Sequence, residues 1–157
     1  MNKNQIFKIY GTDYLQMTKE ILEESGLADM IENKDGQIGI KPNLVSPSEA
    51  SWGGTTHPEV VAGIIEYLQE HGFQKIAMLE GSWVGDKTQE AVQVCGYDKL
   101  TEKYGVPFWN RYHGKRYLFH DLVWGKNFNS DRWIGYGDFY FYSGGSWRLQ
   151  WCGTGVA

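Results

Sequence analysis

The sequence predicts an α/β protein in which helices flank a mostly parallel sheet. Apolar segments of strand length alternate with amphipathic helical segments over residues 1–108. The connections between them are short, and such alternation is typical of parallel sheets covered by helices. The chain has 157 residues, with 22% charged and 41% hydrophobic side chains, which suits one folded domain of ordinary composition.

The first predicted elements are a strand over Ile6–Tyr10 and a helix that begins at Thr12 or Asp13. Both polar residues are good N-caps, and Gly26 is a suitable C-terminal stop because glycine tolerates the left-handed conformation. One face of this helix carries the spacing expected of a buried stripe. Its members are Leu15, Thr18, Ile21 and Leu22.

The second strand, Gln37–Ile40, ends abruptly in the segment Lys41-Pro42-Asn43. A glycine-rich loop follows, and Thr56 with Glu59 has the spacing of a capping box at the start of a helix. That helix is expected to end at His71-Gly72. Its predicted buried residues are Val60, Val61, Ile64, Ile65 and Leu68.

The third strand, Lys75–Glu80, is followed by a loop and by a helix that Asp86 and Gln89 would cap in the same manner. This helix is expected to end at Cys95-Gly96. A short helix over Tyr97–Tyr104 then leads to Val106–Phe108, the predicted start of a fourth strand.

Composition excludes several classes of protein. The net charge of −4 argues against a nucleic-acid surface, and no apolar stretch is long enough for a membrane helix. The N-terminus lacks the apolar core of a signal peptide, and the two cysteines form neither a disulfide framework nor a metal-ligand pattern. We therefore expect a cytoplasmic protein without a membrane or nucleic-acid partner.

Polar side chains gather just beyond the predicted strands, where open parallel sheets bind their ligands. The strand-end residues are Lys41, Asn43, Glu80, Gly81, Ser82 and Asp86. A lysine and an amide after a buried strand suit a carboxylate or phosphate, with Thr55 and Thr56 as further ligand-binding candidates. The alternative for Lys41 is an ordinary surface lysine beside a Pro-Asn turn. We predict a small anionic ligand.

Two residues are predicted as catalytic candidates. His57 can exchange a proton near neutral pH, although it could equally bond only to nearby backbone. Glu80 ends its strand and lies six residues before Asp86, so the two carboxylates could perform acid/base chemistry or hold a divalent cation. Asp86 has the simpler alternative role of a helix N-cap, and no metal site is predicted.

A competing hypothesis is a nucleotide- or phosphate-binding module that uses the segment Gly81–Thr88. This segment follows a strand, precedes a helix and ends in Lys-Thr, as a phosphate-binding loop does. However, Asp86 stands where that motif requires glycine, and its carboxylate would repel a phosphate. The departure counts against the hypothesis.

Several motifs together resemble the domain-of-unknown-function 362 family over about residues 6–108. They are Ile38–Val45, Thr55–Val61, Leu79–Ser82 and Gly96-Tyr97. The resemblance implies an α/β fold and a family often associated with iron–sulfur clusters and redox-linked chemistry. The chain has no C-x-x-C-x-x-C pattern, so no cluster is expected in it.

Members of this family are usually longer, so the resemblance implies that residues 1–108 are the N-terminal part of such a domain. We expect a truncated member, redox-associated or binding a small anion and inactive alone. The incomplete sheet would leave one edge uncovered and favour self-association.

Residues 109–157 differ sharply in composition, with 14 aromatic residues in 49 positions against 10 in the preceding 108. This irregular, glycine-rich tail has no clean strand alternation. One hypothesis is a frameshifted translation; another is a non-catalytic interaction protein whose aromatic tail is the binding surface. The coding DNA after codon 108 would distinguish them.

Overall fold

The computed structural model describes residues 6–31, 33–80, 87–110, 138–142 and 146–150, the last two ranges by their backbone alone. The sheet contains three parallel strands: β1 (Ile38–Ile40), β2 (Ile76–Glu80) and β3 (Phe108–Asn110). Strand β2 lies in the centre, with Ile40 opposite Met78 on one side and Glu80 opposite Asn110 on the other. The predicted α/β class with a parallel sheet is therefore confirmed.

Besides a short 3-10 helix over Ala50–Trp52, five α-helices accompany this sheet in the described part of the chain. They are α1 (Tyr14–Ser25), α2 (Leu27–Met30), α3 (Pro58–Glu70), α4 (Thr88–Val94) and α5 (Tyr97–Tyr104). Asp13 caps α1 by accepting a hydrogen bond from the backbone N–H of Gln16, and Gly26 ends it in the left-handed conformation. Both of these end signals are confirmed.

The central helix α3 and the central strand β2 each contribute more buried apolar residues to the core than any other helix or strand whose side chains the structure describes. All five residues of β2 are buried, as a strand covered on both faces requires. The five apolar positions predicted for α3 are buried too. They are Val60, Val61, Ile64, Ile65 and Leu68. The apolar pattern thus predicted the orientation of this helix correctly.

Helix α1 packs closely against α3 at Gly63. A Cβ atom at this position would lie 2.6 Å from the backbone oxygen of Leu15, so only glycine fits. Beyond this contact, the Lys19 ammonium lies 3.4 Å from a Glu66 carboxylate oxygen and 2.5 Å from one of Glu70. Backbone contact and ion pairing together join the two helices.

The predicted strand at Ile6–Tyr10 is wrong, because this segment has no strand structure. Phe7 and Ile9 are half-buried, whereas Ile6 and Tyr10 are 89% and 80% exposed. The alternation of apolar residues is real and buries one side of the segment. A strand also needs a hydrogen-bonded neighbour, and the sequence pattern cannot supply that information.

In the tail, the backbones of β4 (Asp138–Tyr142) and β5 (Ser146–Gln150) pair in antiparallel orientation. The predicted boundary at residues 108 and 109 falls inside β3, which continues to Asn110. Among the helices that the structure describes, none has the length and apolar character needed to cross a membrane.

Candidate functional site

The carboxyl ends of β1 and β2 place a lysine beside a glutamate. Lys41 follows the last residue of β1, and Glu80 is the last residue of β2, its neighbour in the sheet. The Lys41 Nζ atom donates a hydrogen bond to Glu80 Oε2 over 2.5 Å. The side chain of Lys41 is 27% exposed and that of Glu80 only 8%. The structure therefore brings two predicted site residues into direct contact.

A buried carboxylate is costly unless it is paired, and a buried ion pair is weak evidence for stability. Two apolar side chains at the same place would stabilise the fold at least as well. Lys41 is also partly exposed, and an ammonium group carries three hydrogen-bond donors. Glu80 therefore holds an ammonium group that is still partly open to solvent.

Asn43 and Thr56 are joined by two hydrogen bonds across a loop. The Asn43 backbone N–H donates to Thr56 Oγ1, and the Thr56 backbone N–H donates to the Asn43 carbonyl, both over 2.9 Å. Next to them, Leu44 and Thr55 form an antiparallel bridge. These contacts fix both ends of the segment 44–55 beside Lys41.

This arrangement contradicts the predicted capping box. His57, one residue later, is the N-cap of α3, and no side chain caps that end. The hydroxyl of Thr56 instead accepts the hydrogen bond from Asn43. A contact between residues 13 positions apart replaces the local one that the spacing indicated.

The side chains of Asn43 and Thr55 also form hydrogen bonds to the backbone of this loop. Asn43 Nδ2 donates to the carbonyl of Gly54 over 3.2 Å, which leaves the amide oxygen as the group that can accept from a ligand. Thr55 Oγ1 donates to the carbonyl of Ser48 over 3.2 Å, and the residue is buried. Thr55 therefore stabilises the loop beneath the site.

His57 lies at the start of α3, against the ring of Tyr14. The two ring centroids are 4.5 Å apart, and Nδ1 of His57 is 3.8 Å from a carboxylate oxygen of Glu59. The side chain is 29% exposed. We use the name strand-end site for Lys41, Asn43, Thr55, Thr56, His57 and Glu80.

Sequence reasoning assigned no role to Tyr97, which lies beneath this site. Its hydroxyl donates to the Thr56 carbonyl over 3.0 Å, and its side chain is fully buried. Burial raises the pKa of Tyr97 well above its ordinary value, and the nearby charges of Cys95, Glu59 and Glu80 raise it further. The family resemblance included Gly96-Tyr97, and this was the signal that could have identified the residue.

Cys95 is a second residue whose role the sequence did not reveal. It is a buried free thiol whose Sγ donates to the Ser48 carbonyl over 3.2 Å, the same carbonyl that Thr55 contacts. Burial raises the pKa of this thiol, and its hydrogen bonds to Thr55 and Ser48 oppose that effect. Cys95 thus links the end of α4 to the loop that carries Thr55 and Thr56.

Three predicted site residues, Gly81, Ser82 and Asp86, lie outside the described residues, as does most of the proposed phosphate-binding loop. Helix α4 begins at Thr88 with Lys87 as its N-cap, one residue later than the Asp86 cap predicted. Over the parts of the chain that the structure describes, no three His, Cys, Asp or Glu side chains are grouped to hold a metal ion.

The chain matches a known protein family over much of its length. The model of a family described as a domain of unknown function, DUF362, matches residues 38–133. This range begins 32 residues later and ends 25 residues later than the resemblance in the sequence predicted. No curated protein and no solved structure matches the chain.

Proposed function

Because the chain belongs to the DUF362 family, whose function is unknown, we propose from its own residues that it binds a small anionic ligand at the strand-end site. The observation that carries this proposal is the ion pair between Lys41 and the buried Glu80 at adjacent strand ends. Ligands of open parallel sheets bind at this edge. The ligand's carboxylate or phosphate would accept hydrogen bonds from the Lys41 ammonium.

The surrounding contacts support a binding role because they hold the site rigid before any ligand arrives. The Asn43–Thr56 pair fixes the loop on one side, and Tyr97 fixes the Thr56 carbonyl from below. A site held in this way loses little conformational freedom when it binds, and this favours affinity. Glu80 and His57 are the residues proposed for proton transfer, if the bound anion then reacts.

The proposal is tested by calorimetric titration of the full chain with inorganic phosphate and with propionate at low ionic strength. We expect Lys41→Gln to weaken anion binding at least about tenfold, since truncating a charged contact removes its main attraction. The matched control is Lys19→Gln, because Lys19 also pairs with glutamates and is similarly exposed, at 22%, and its partner Glu70 is at the opposite end of α3 from His57. Equal losses in both variants, or none in Lys41→Gln, would contradict the proposal.

The same titrations address the alternative phosphate-binding loop. Its lysine is Lys87, the N-cap of the seven-residue helix α4. If phosphate binding were lost in Lys87→Gln and retained in Lys41→Gln, the binding site would be the loop over residues 81–88 instead. We expect the reverse pattern.

A further inference from the structure

We propose that the ligand of the strand-end site is bipolar: a small molecule that carries an ammonium group next to its carboxylate or phosphate. This inference deepens the proposed function and rests on it. It follows from the fact that the lysine of the site is in direct contact with a carboxylate, so that the site presents both charges at once.

The geometry of the ion pair limits what a simple anion can gain. Lys41 Nζ lies 2.5 Å from Glu80 Oε2. An anion at hydrogen-bond distance from Nζ is then at most about 5.3 Å from that carboxylate oxygen. Because Coulomb energy falls with the inverse of distance, repulsion from Glu80 cancels at least about half of the attraction to Lys41.

Burial makes this repulsion effective. The Glu80 side chain is only 8% exposed, so water and salt screen its charge less than they screen a surface carboxylate. A ligand with a negative charge alone therefore meets an unfavourable neighbour in Glu80.

A bipolar ligand can form an ion pair with Glu80 instead of being repelled by it. Its carboxylate or phosphate faces Lys41 while its ammonium faces Glu80, so that two opposite charge pairs lie side by side. The amide oxygen of Asn43 is a further acceptor at the same edge of the sheet, since the amide nitrogen is held by the Gly54 carbonyl. Complementary charges of this kind select one class of ligand and penalise others.

Two matched pairs of compounds test the inference by calorimetric titration of the full chain at low ionic strength. Alanine differs from propionate by an ammonium group, and phosphoethanolamine differs from ethyl phosphate in the same way. We expect the ammonium-bearing member to bind at least about tenfold more tightly in one pair or both. A preference in the first pair identifies the anionic group as a carboxylate, and a preference in the second identifies it as a phosphate.

Glu80→Gln supplies the second arm, since it removes the charge while keeping the size of the side chain. It should abolish the preference by strengthening propionate or ethyl phosphate binding and weakening that of the partner compound. The matched control is Glu70→Gln, because Glu70 pairs with Lys19 over the same 2.5 Å at the end of α3 opposite His57. If Glu80→Gln fails to fold, the preference of the wild-type protein decides the question alone.

The outcomes separate this inference from the proposed function. Equal affinities within both pairs, or tighter binding of the simple anions, would overturn the bipolar ligand while loss of binding in Lys41→Gln still supported an anion site. Retention of the preference in Glu80→Gln would also overturn it. If none of the four compounds bound the wild-type protein, both proposals would fail.

Discussion

Replacement of Tyr97 by phenylalanine should destabilise the protein and change its response to alkali. The change removes one hydroxyl, which donates to the Thr56 carbonyl over 3.0 Å in a fully buried position. A buried acceptor that loses its donor costs about 1–3 kcal/mol. The free energy of unfolding at pH 7 should fall by that amount, because the void left by a single oxygen is too small to add much.

The alkaline response follows from the raised pKa of Tyr97. In the unfolded chain the phenol releases its proton near pH 10, whereas in the folded protein burial keeps it protonated. Above that pH the unfolded state binds fewer protons, so stability decreases as pH rises. The contribution of one such group approaches about 1.4 kcal/mol per pH unit.

Urea unfolding followed by circular dichroism at pH 7, 9, 10 and 11 measures both effects. The wild-type protein should lose stability more steeply than Tyr97→Phe above pH 10, while Tyr67 and Cys95, whose pKa values burial also raises, contribute equally to both. Tyr10→Phe is the control, because Tyr10 is 80% exposed and its removal should change stability by less than about 0.5 kcal/mol. Identical pH profiles for wild type and Tyr97→Phe would refute the argument.

Three further predictions concern the helices. Gly63→Ala should lower the free energy of unfolding by about 1–3 kcal/mol, since the new Cβ would lie 2.6 Å from the backbone oxygen of Leu15. An unchanged free energy of unfolding in urea would contradict this contact. Tyr67→Phe should lower the free energy of unfolding by about 1–3 kcal/mol in the same assay, because the Tyr67 hydroxyl accepts a hydrogen bond from a buried backbone N–H of α2. A decrease below about 0.5 kcal/mol would count against that bond. The hydrogen bond from Tyr104 and the nearby lysines lower the pKa of Glu66. The stability that these interactions contribute is therefore present above pH 4.5 and is lost as pH falls below it. Tyr104→Phe should therefore flatten the acid side of the stability profile, and an unaltered profile would show that the bond is unimportant.

Local signals predicted the helices well because each depends on a few neighbouring residues. Asp13 and Gly26 bound α1 as expected, and α5 spans Tyr97–Tyr104 as predicted. The two capping boxes were wrong for different reasons. Thr56 bonds to Asn43 across the loop, and α4 begins one residue after the position that Asp86 indicated. Spacing alone cannot show that a distant partner competes for a hydroxyl group.

The candidate site was predictable only in part. Lys41 and Glu80 could each be placed at a strand end from the sequence, but their contact requires that β1 and β2 be neighbours with Ile40 opposite Met78. That register depends on the packing of the whole sheet. The contact of Tyr97 with Thr56 was not predictable, since the two residues are 41 positions apart in the sequence. Pairings over such separations arise from the fold as a whole.

The anchoring of the segment 44–55 has a consequence for how such proteins can diverge. Hydrogen bonds hold its base at Asn43 and Thr56, and Ser48 is fixed from below, whereas residues 51–53 are exposed. Insertions or substitutions at residues 51–53 can therefore accumulate without moving Lys41. Evolution could alter which molecules reach the site by changing a few exposed residues around Trp52, while the charged pair proposed to recognise them is inherited intact.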